Sequence, residues 1–196
     1  MSMPRTALLV IDLQRQFTEP TGMFPMPEIE PLLGRISGFV DKMREHGATV
    51  VWIEQSMRPQ VGLGRATLRY GREDAHHGPG TELDPRLIPA DGDLRITKWR
   101  QSAFFATDLD LCLRRLAIER VLVCGITTNV CVLATTKDAS ERDYETVVVG
   151  DLTGALPIRD GDREVMSAND VQRAALAFIQ YSYGDVVDAA DVAWKA

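Results

Sequence analysis

The stretch Val121-Leu-Val-Cys-Gly-Ile-Thr-Thr-Asn-Val-Cys131-Val132 decides the fold of this chain, because a strand pattern passes into a helix pattern through one glycine. An unbroken apolar run is typical of a parallel strand that is buried on both faces, so residues 119–125 are predicted to form a strand. Thr128 or Asn129 is predicted to cap the helix that follows, since Thr and Asn side chains accept hydrogen bonds from helix N-terminal N–H groups. Cys131 then falls in the first helical turn.

Cys131 has two interpretations at this point. The unpaired N–H groups and the positive dipole end of a helix favour a thiolate, which lowers the pKa of the thiol and makes it a nucleophile. A free cysteine is also a small apolar side chain that packs well in a core. The stretch alone does not decide between these interpretations.

Composition limits the class of protein. With 196 residues, 45% hydrophobic residues and no break in composition, the chain is predicted to form a single domain over residues 1–196. A net charge of -6 argues against nucleic acid or an anionic membrane as partner and favours a small molecule.

A cytoplasmic location is expected, because a strand begins by Thr6 and no apolar run approaches the roughly 20 residues that span a bilayer. Three cysteines without a CxxC pair fit a reducing compartment.

Strand patterns alternate with helix patterns along the chain. Further strands are predicted at residues 6–12, which form a continuous apolar run closed by an acid, and at residues 49–53, 94–97, 145–150 and 185–187. Apolar residues at helical spacing begin near Ile29, Leu109 and Val171. This alternation predicts right-handed crossovers and a parallel sheet covered by helices on both faces, which is a three-layer α/β fold. Ligands of such sheets bind beyond the carboxyl ends of the strands.

Two segments rich in Pro and Gly are predicted to be loops. Residues 13–27 follow the first strand, and residues 56–92 follow the second. The longer segment has only a weak helical pattern at residues 66–70. A loop of this length is typical of a lid over a functional site.

Asp12, Lys98 and Cys131 are predicted to meet at the carboxyl edge of the sheet, because each follows the end of a strand. A cysteine nucleophile needs a cation beside its thiolate, a group that moves protons, and donors for the oxyanion. Lys98 supplies the first and Asp12 the second. The backbone N–H groups of Thr127 and Cys131 supply the third. Taken singly, such an Asp is typical of a turn and such a Lys of the solvated surface, so only the combination favours catalysis.

Other polar and cysteine residues receive weaker interpretations. Cys112, on a helix face with Leu109 and Leu116, and Cys124, within a strand, are predicted to lie in the core. Loops beside strand ends usually line pockets, which gives four candidates for substrate contact. These candidates are Gln14, Phe17, Arg100 and Phe105.

The long loop contains the histidines that a metal site would need. His76 and His77 lie near Glu73 and Asp74, but the spacing matches no metal motif, so neither a metal nor another cofactor is expected. A histidine of this loop paired with Cys131 is an alternative that ranks below the pairing with the aspartate, because it needs a large loop closure. The absence of GxSxG, Walker A and GxGxxG motifs disfavours serine hydrolases, NTPases and dinucleotide-binding proteins.

Three motifs together resemble the isochorismatase-like cysteine hydrolases. They are Val10-Ile-Asp12-Leu-Gln14, the segment TKWRQSAFFAT at residues 97–107, and Gly125-Ile-Thr-Thr-Asn-Val-Cys131-Val132. The resemblance implies a six-stranded parallel sheet of order 3-2-1-4-5-6, a triad of Asp12, Lys98 and Cys131, and self-association into a homo-oligomer. It also implies a cis peptide bond before Thr127, which would aim two backbone N–H groups into the oxyanion hole.

Departures from sister families narrow the implied activity. Isochorismatases that cleave a vinyl ether lack the cysteine, so Cys131 favours C–N hydrolysis. Nicotinamidases have a D-x-H metal motif after the second strand, where this chain has Ile53-Glu-Gln-Ser-Met-Arg-Pro59. The likeness at residues 102–109 and 125–132 is to the branch of ureidoacrylate amidohydrolases and biuret hydrolases, although Trp99 stands where that branch often has Pro.

The resemblance therefore implies a metal-independent amidohydrolase of a small carbamoyl, ureido or carboxamide substrate. Cys131 would form a thioester with the substrate, and Asp12 would protonate the departing amine. Two alternatives remain open. One is ether hydrolysis led by Asp12, which is insensitive to thiol alkylation. The other is a non-catalytic redox-sensing or binding module with a reversible sulfenate at Cys131.

Overall fold

A parallel sheet forms the centre of the computed structural model, which describes residues 4–57, 64–65, 76 and 78–193. The strands of the described residues are β1 (Thr6–Ile11), β2 (Thr49–Gln55), β3 (Leu94–Lys98), β4 (Arg120–Ile126), β5 (Glu145–Gly154), β6 (Ile158–Asp160), β7 (Arg163–Met166) and β8 (Asp185–Val187). Six of them pair in the order β3-β2-β1-β4-β5-β8, and every pair in this sheet is parallel. The predicted sheet and its strand order are confirmed.

Helices cover both faces of the sheet. They are α1 (Arg15–Thr18), α2 (Ile29–Glu45), α3 (Leu109–Arg115), a π-helical turn (Thr128–Val132), α4 (Leu133–Ser140) and α5 (Ala168–Ser182). The apolar side of α2 packs with Leu8 and Val10 in one cluster. Side chains of α3, α4 and α5 pack with Leu9 and Ile11 in a second cluster on the opposite face. Successive β1 side chains thus enter different cores, which explains the unbroken apolar run.

Gly125 allows the turn after β4 to approach the end of β1. Its φ is +107°, and a Cβ built on it would lie 2.2 Å from the backbone oxygen of Ile11. Only glycine tolerates both this backbone conformation and this proximity. The turn that carries Cys131 is therefore held beside Asp12, the residue that follows β1.

The structure adds two elements that the sequence did not predict. A short antiparallel hairpin of β6 and β7 precedes α5, so the predicted sixth strand is numbered β8. All residues of the two hairpin strands are exposed, and they therefore lack the alternating apolar pattern of a half-buried strand. Within residues 13–27, predicted to be a loop, α1 forms a single helical turn.

The prediction for Cys112 was wrong in part. Cys112 is only half-buried and Leu116 is 39% exposed, because α3 ends at Arg115 and turns Leu109 and Leu113 toward the sheet. Cys124 is fully buried in β4, as predicted.

The weak helical pattern at residues 66–70 lies outside the described residues. None of the helices described here has the length and apolar character needed to cross a membrane.

Candidate active site

Asp12, Lys98 and Cys131 meet beyond the carboxyl edge of the sheet, as their positions at strand ends predicted. The Nζ atom of Lys98 lies 2.8 Å from Oδ2 of Asp12 and 3.2 Å from Sγ of Cys131. Asp12 and Lys98 are 0% exposed and Cys131 is 6% exposed. The three side chains thus form one buried cluster of an acid, a cation and a thiol.

The Lys98 ammonium is surrounded by acceptors. It forms an ion pair with Asp12 and donates to Sγ of Cys131, to Oε1 of Gln55 at 2.8 Å and to the backbone oxygen of Arg100 at 3.2 Å. Burial lowers the pKa of Lys98, but the charge of Asp12, together with the contact with Cys131, outweighs burial and raises this pKa above its ordinary value. Lys98 is therefore a permanent cation in the site rather than a base.

The protons of Asp12 and Cys131 are coupled through burial and charge. Burial raises the pKa of the Asp12 carboxyl, and this effect exceeds the lowering by Lys98. Burial, together with the charge of Asp12, raises the pKa of Cys131 to about 12, although Lys98 opposes the shift. The predicted lowering of the Cys131 pKa was therefore wrong, because desolvation and the neighbouring carboxylate outweigh the cation. The resting form is a thiol beside a carboxylate of raised proton affinity.

The turn before Cys131 has the predicted cis peptide bond, between Ile126 and Thr127. The helical part begins at Thr128 as a π turn and Thr127 occupies the N-cap position without a side-chain cap bond, so the predicted cap at Thr128 or Asn129 was wrong. The carbonyl of Thr127 accepts from the N–H groups of Val130 and Val132. The N–H of Thr127 belongs to this turn, and its part in an oxyanion hole stays a prediction.

A cavity of about 290 Å³ opens onto Cys131. Its described lining comprises Phe17, Phe24, Gln55, His76, Thr127, Asn129, Val130, Cys131, Leu156, Pro157 and Ile158. Phe17 was predicted to form a pocket wall, and the structure places it there. Thr127 and Cys131, the predicted sources of oxyanion donors, also line this cavity.

Gln14 does not line the cavity, because its amide is bonded to the backbone. Its Nε2 donates to the Gln55 carbonyl at 2.9 Å, and its Oε1 accepts from the Gln55 N–H at 3.0 Å. The same Nε2 also donates to the carbonyl of Thr81. Gln14 therefore fixes the end of β2, and with it the Gln55 side chain that contacts Lys98.

Arg100 and Phe105 also lie away from the cavity wall. The Arg100 guanidinium donates to the carbonyl of Trp99 at 2.7 Å, and only the Arg100 backbone oxygen reaches the site, through Lys98. Phe105 is 57% exposed, while the neighbouring Phe104 takes the buried position. The choice of Phe105 as a pocket residue was wrong for this reason.

Four cavity residues were missed by the sequence reasoning: Phe24, Gln55, His76 and Asn129. Gln55 had a detectable signal, because it ends β2 at the same carboxyl edge, but the predicted strand stopped at Ile53. His76 is buried, with Nδ1 3.0 Å from Oε1 of Gln16. No local sequence pattern predicts that Phe24 or His76 lines the cavity, because both residues lie in loops that fold over the sheet edge.

The described part of the long loop packs against α1. The N–H of Gln16 donates to the carbonyl of Gly80 at 2.7 Å, and that of Asp84 donates to the carbonyl of Leu13 at 2.9 Å. The sequence analysis considered a metal site of Glu73, Asp74, His76 and His77. Of these four residues, Glu73, Asp74 and His77 lie outside the described residues. Within the described ranges, no group of three or more His, Cys, Asp or Glu side chains is placed to hold a metal ion.

Fold and site together define a three-layer α/β protein with a buried Cys-Lys-Asp cluster at the carboxyl edge of its parallel sheet. The family model for the isochorismatase domain matches residues 6–191 of the chain. The chain belongs to this family, as the three sequence motifs implied.

Named relatives place the chain among hydrolases. A cysteine hydrolase from Pseudomonas syringae pv. phaseolicola is 31% identical with a TM-score of 0.89, over 98% of this chain and 96% of that one. Ureidoacrylate amidohydrolase RutB from Methylobacterium radiotolerans is 29% identical over 94% of this chain and 77% of its own length. N-carbamoylsarcosine amidase from Thermoplasma acidophilum is 25% identical with a TM-score of 0.78, over 96% and 98%. The protein is thus a hydrolase of the isochorismatase family.

Proposed function

We propose that the protein is an amidohydrolase that cleaves a C–N bond of a small carbamoyl, ureido or carboxamide substrate through a thioester on Cys131. The observation that carries this proposal is the position of the Cys131 thiol, at the wall of a cavity and 3.2 Å from the Lys98 ammonium. Two of the similar proteins are named as an amidohydrolase and an amidase, which supports the same bond type.

The first half of the reaction forms the thioester. The Asp12 carboxylate takes the thiol proton as Sγ of Cys131 attacks the carbonyl carbon, and Lys98 stabilises the thiolate that develops. The N–H groups of Thr127 and Cys131 hold the oxyanion. When the C–N bond breaks, protonated Asp12 gives its proton to the nitrogen, and ammonia or an amine leaves.

The second half releases the acyl group. Asp12, again a carboxylate, takes a proton from water as the water oxygen attacks the thioester carbonyl. The C–S bond breaks, the acid product leaves, and Sγ recovers its proton from Asp12. Lys98 keeps its own proton throughout, so its charge balances whichever neighbour is ionised.

The two alternative functions receive less support. Redox sensing favours an accessible thiol of low pKa, whereas Cys131 is 6% exposed and its pKa is raised. Ether hydrolysis led by Asp12 gives no role to the buried contact between Cys131 and Lys98. Neither alternative explains why the cation contacts both the acid and the thiol.

Mass spectrometry of the protein during turnover tests the proposal. We expect ammonia release from members of a panel of carboxamides and ureido compounds, together with an acyl adduct on Cys131. Cys131→Ser should abolish the thioester and lower the rate by at least about a hundredfold. Cys112→Ser, a matched change of a half-buried cysteine on α3, should leave both unchanged. Undiminished hydrolysis by the Cys131→Ser variant would contradict the proposal.

A further inference from the structure

We infer that Gln172, on α5, is a positioning residue for the π turn, and that it holds the backbone N–H groups of Thr127 and Cys131 where they meet a developing oxyanion. This inference rests on the proposed hydrolysis at Cys131 and gives a role to a side chain outside the cavity. The described lining of the cavity does not include Gln172. Its side-chain hydrogen bonds among the described residues go instead to the π turn and to β5.

One hydrogen bond joins α5 to the start of the π turn. The Thr128 hydroxyl donates to Oε1 of Gln172 at 2.5 Å. Thr128 is 0% exposed, and it is the first residue of the turn, directly after Thr127. A buried hydroxyl that loses its acceptor is costly, so this bond fixes the end of the turn at which the proposed oxyanion donors begin.

The other end of the same amide holds β5. Nε2 of Gln172 donates to Oγ1 of Thr153 at 2.7 Å, and the carbonyl of Gly150 lies 3.3 Å away as a further acceptor. The Thr153 hydroxyl itself donates to the Gly150 carbonyl at 2.9 Å. The amide thus uses its oxygen on the turn and its nitrogen on the strand. A leucine of similar size supplies neither group, and a glutamate supplies only the acceptor.

The part of β5 that Gln172 bonds lies opposite the residues that lead into the turn. Thr153 pairs with Gly125 across the sheet, and the register between β4 and β5 shifts just before this pair. Such a shift interrupts the backbone ladder locally, so side-chain bonds take a larger part in fixing the chain there. Gln172 therefore bonds both the strand opposite Gly125 and the turn that follows Gly125.

The thiol of Cys131 is held by different contacts. Its Sγ lies 3.2 Å from Nζ of Lys98, which also contacts Asp12 and Gln55. These three partners come from the ends of β3, β1 and β2, whereas Gln172 comes from α5. Loss of the Gln172 amide should therefore disturb the N–H groups of the turn more than the charges around the thiol.

Steady-state kinetics test this role, with ammonia release from the panel compound that wild-type protein hydrolyses fastest. An oxyanion develops only as Sγ of Cys131 attacks, so its donors act on the transition state more than on the bound substrate. We expect Gln172→Leu to lower kcat at least about tenfold while KM changes by less than about threefold. Thr128→Val should give the same pattern, because it removes the other partner of the bond.

Three further variants separate positioning from a general loss of structure. The double variant Gln172→Leu, Thr128→Val should lose little more kcat than the worse single variant, because both changes break one bond. Thr128→Ser keeps the hydroxyl and should recover most of the kcat that Thr128→Val loses. Gln180→Leu is the matched control on α5, because Gln180 accepts from the Val186 N–H at 2.7 Å and is bonded away from the turn. An equal fall in kcat for Gln172→Leu and Gln180→Leu would overturn the inference.

Reversible addition of ¹³C-labelled acetaldehyde to Cys131 gives a measurement without turnover. The S–C bond forms, the C=O double bond becomes a single bond, and the thiol proton ends on the oxygen, which takes the place of the oxyanion. Carbon NMR measures the dissociation constant, with Cys131→Ser as the background. We expect this constant to rise at least about tenfold in Gln172→Leu and to change less than about twofold in Gln180→Leu. Equal constants in wild type and Gln172→Leu, or no adduct on wild-type Cys131, would overturn the inference.

The two measurements separate this inference from the proposed function. If wild-type protein releases no ammonia from any panel compound, the function fails, and the acetaldehyde titration decides the role of Gln172. If wild-type protein is active but Gln172→Leu and Thr128→Val both keep its kcat, the function stands and the inference fails. Circular dichroism verifies the fold of each variant. Should Gln172→Leu not fold, Thr128→Val tests the same bond from the turn.

Discussion

Lys98 carries a positive charge at a position that is fully enclosed by protein. Its contacts with Asp12 and Cys131 make the protonation of these two residues interdependent, because whichever of them is ionised is stabilised by the same ammonium. Transfer of a proton between the two residues would leave the net charge of the cluster unchanged. This arrangement suits a reaction in which the acid must serve as base and acid in turn.

The reactivity of Cys131 toward iodoacetamide should rise with pH well beyond the range of an ordinary thiol, because its pKa is raised to about 12. Between roughly pH 6 and pH 10 we expect a rising rate with no plateau. Asp12→Asn should shift the curve to lower pH, since this variant removes the negative charge that raises the pKa of Cys131. Peptide mass spectrometry measures the rate at each cysteine.

The half-buried Cys112 gives an internal comparison for the alkylation of Cys131 in the same samples. Circular dichroism at each pH confirms that the protein is still folded. A plateau in the Cys131 rate near neutral pH would show a stabilised resting thiolate. That result would contradict the assignment of Asp12 as the base that activates the thiol.

At the scale of elements, α1 and β2 are joined through one side-chain amide. Gln14 bonds both backbone groups of Gln55, which is the last residue of β2. The Gln55 side chain in turn accepts from Lys98, so the position of the cation depends on a residue that does not touch it. These bonds indicate that Gln14 positions Gln55, and contact between Gln14 and substrate stays an untested prediction.

Gln14→Ala should lower both stability and turnover without changing substrate preference. The variant leaves two backbone groups of Gln55 unpaired, and we expect a loss of about 1–3 kcal/mol in the free energy of unfolding. The ratio of kcat/KM values between two amides should stay constant. Urea denaturation and steady-state kinetics measure these quantities, with Gln101→Ala at a half-buried position as control. A changed substrate ratio at unchanged stability would instead show direct contact between Gln14 and the substrate.

The sheet was predictable from sequence because its strands are buried. Continuous apolar runs such as that of β1 arise when both faces of a strand are covered, and they mark the strand without any tertiary information. The hairpin of β6 and β7 has no such signal, because its residues face solvent. Its strands were therefore absent from the prediction, although their pairing is well defined.

The candidate site was predictable only where it coincides with strand ends. Asp12 directly follows β1 and Lys98 is the last residue of β3, so their meeting follows from parallel topology. His76 and Phe24 meet because two loops fold over the sheet edge, and no spacing in the sequence encodes that contact. The raised pKa of Cys131 could not be predicted from the sequence either, because it depends on how completely the folded protein excludes water from the thiol.

For the molecule as a whole, the sheet separates two apolar cores. Adjacent residues Leu8 and Leu9 of β1 are both 0% exposed, and they belong to clusters on opposite faces. Leu8→Ala and Leu9→Ala should each lower the free energy of unfolding by about 2–5 kcal/mol, because each leaves a cavity in its own core. Urea denaturation monitored by circular dichroism measures both changes.

Leu111→Ala is the control for these variants, because Leu111 is 65% exposed on α3. Its effect should be within about 0.5 kcal/mol. A large loss for only one of the two β1 variants would indicate that one face of the sheet is poorly covered. That result would contradict the three-layer architecture.

Asp12, Lys98 and Cys131 lie far apart along the chain, so they can come together only late in folding. Lys98 and Cys131 are 33 residues apart, and Asp12 follows β1, which β2 separates from β3 in the sheet. No hairpin or single strand-helix unit contains the three groups, so long loops must close before they meet. After dilution from denaturant, enzymatic activity should therefore return only when the whole sheet has formed. Helices and strands that form before that point should give no activity.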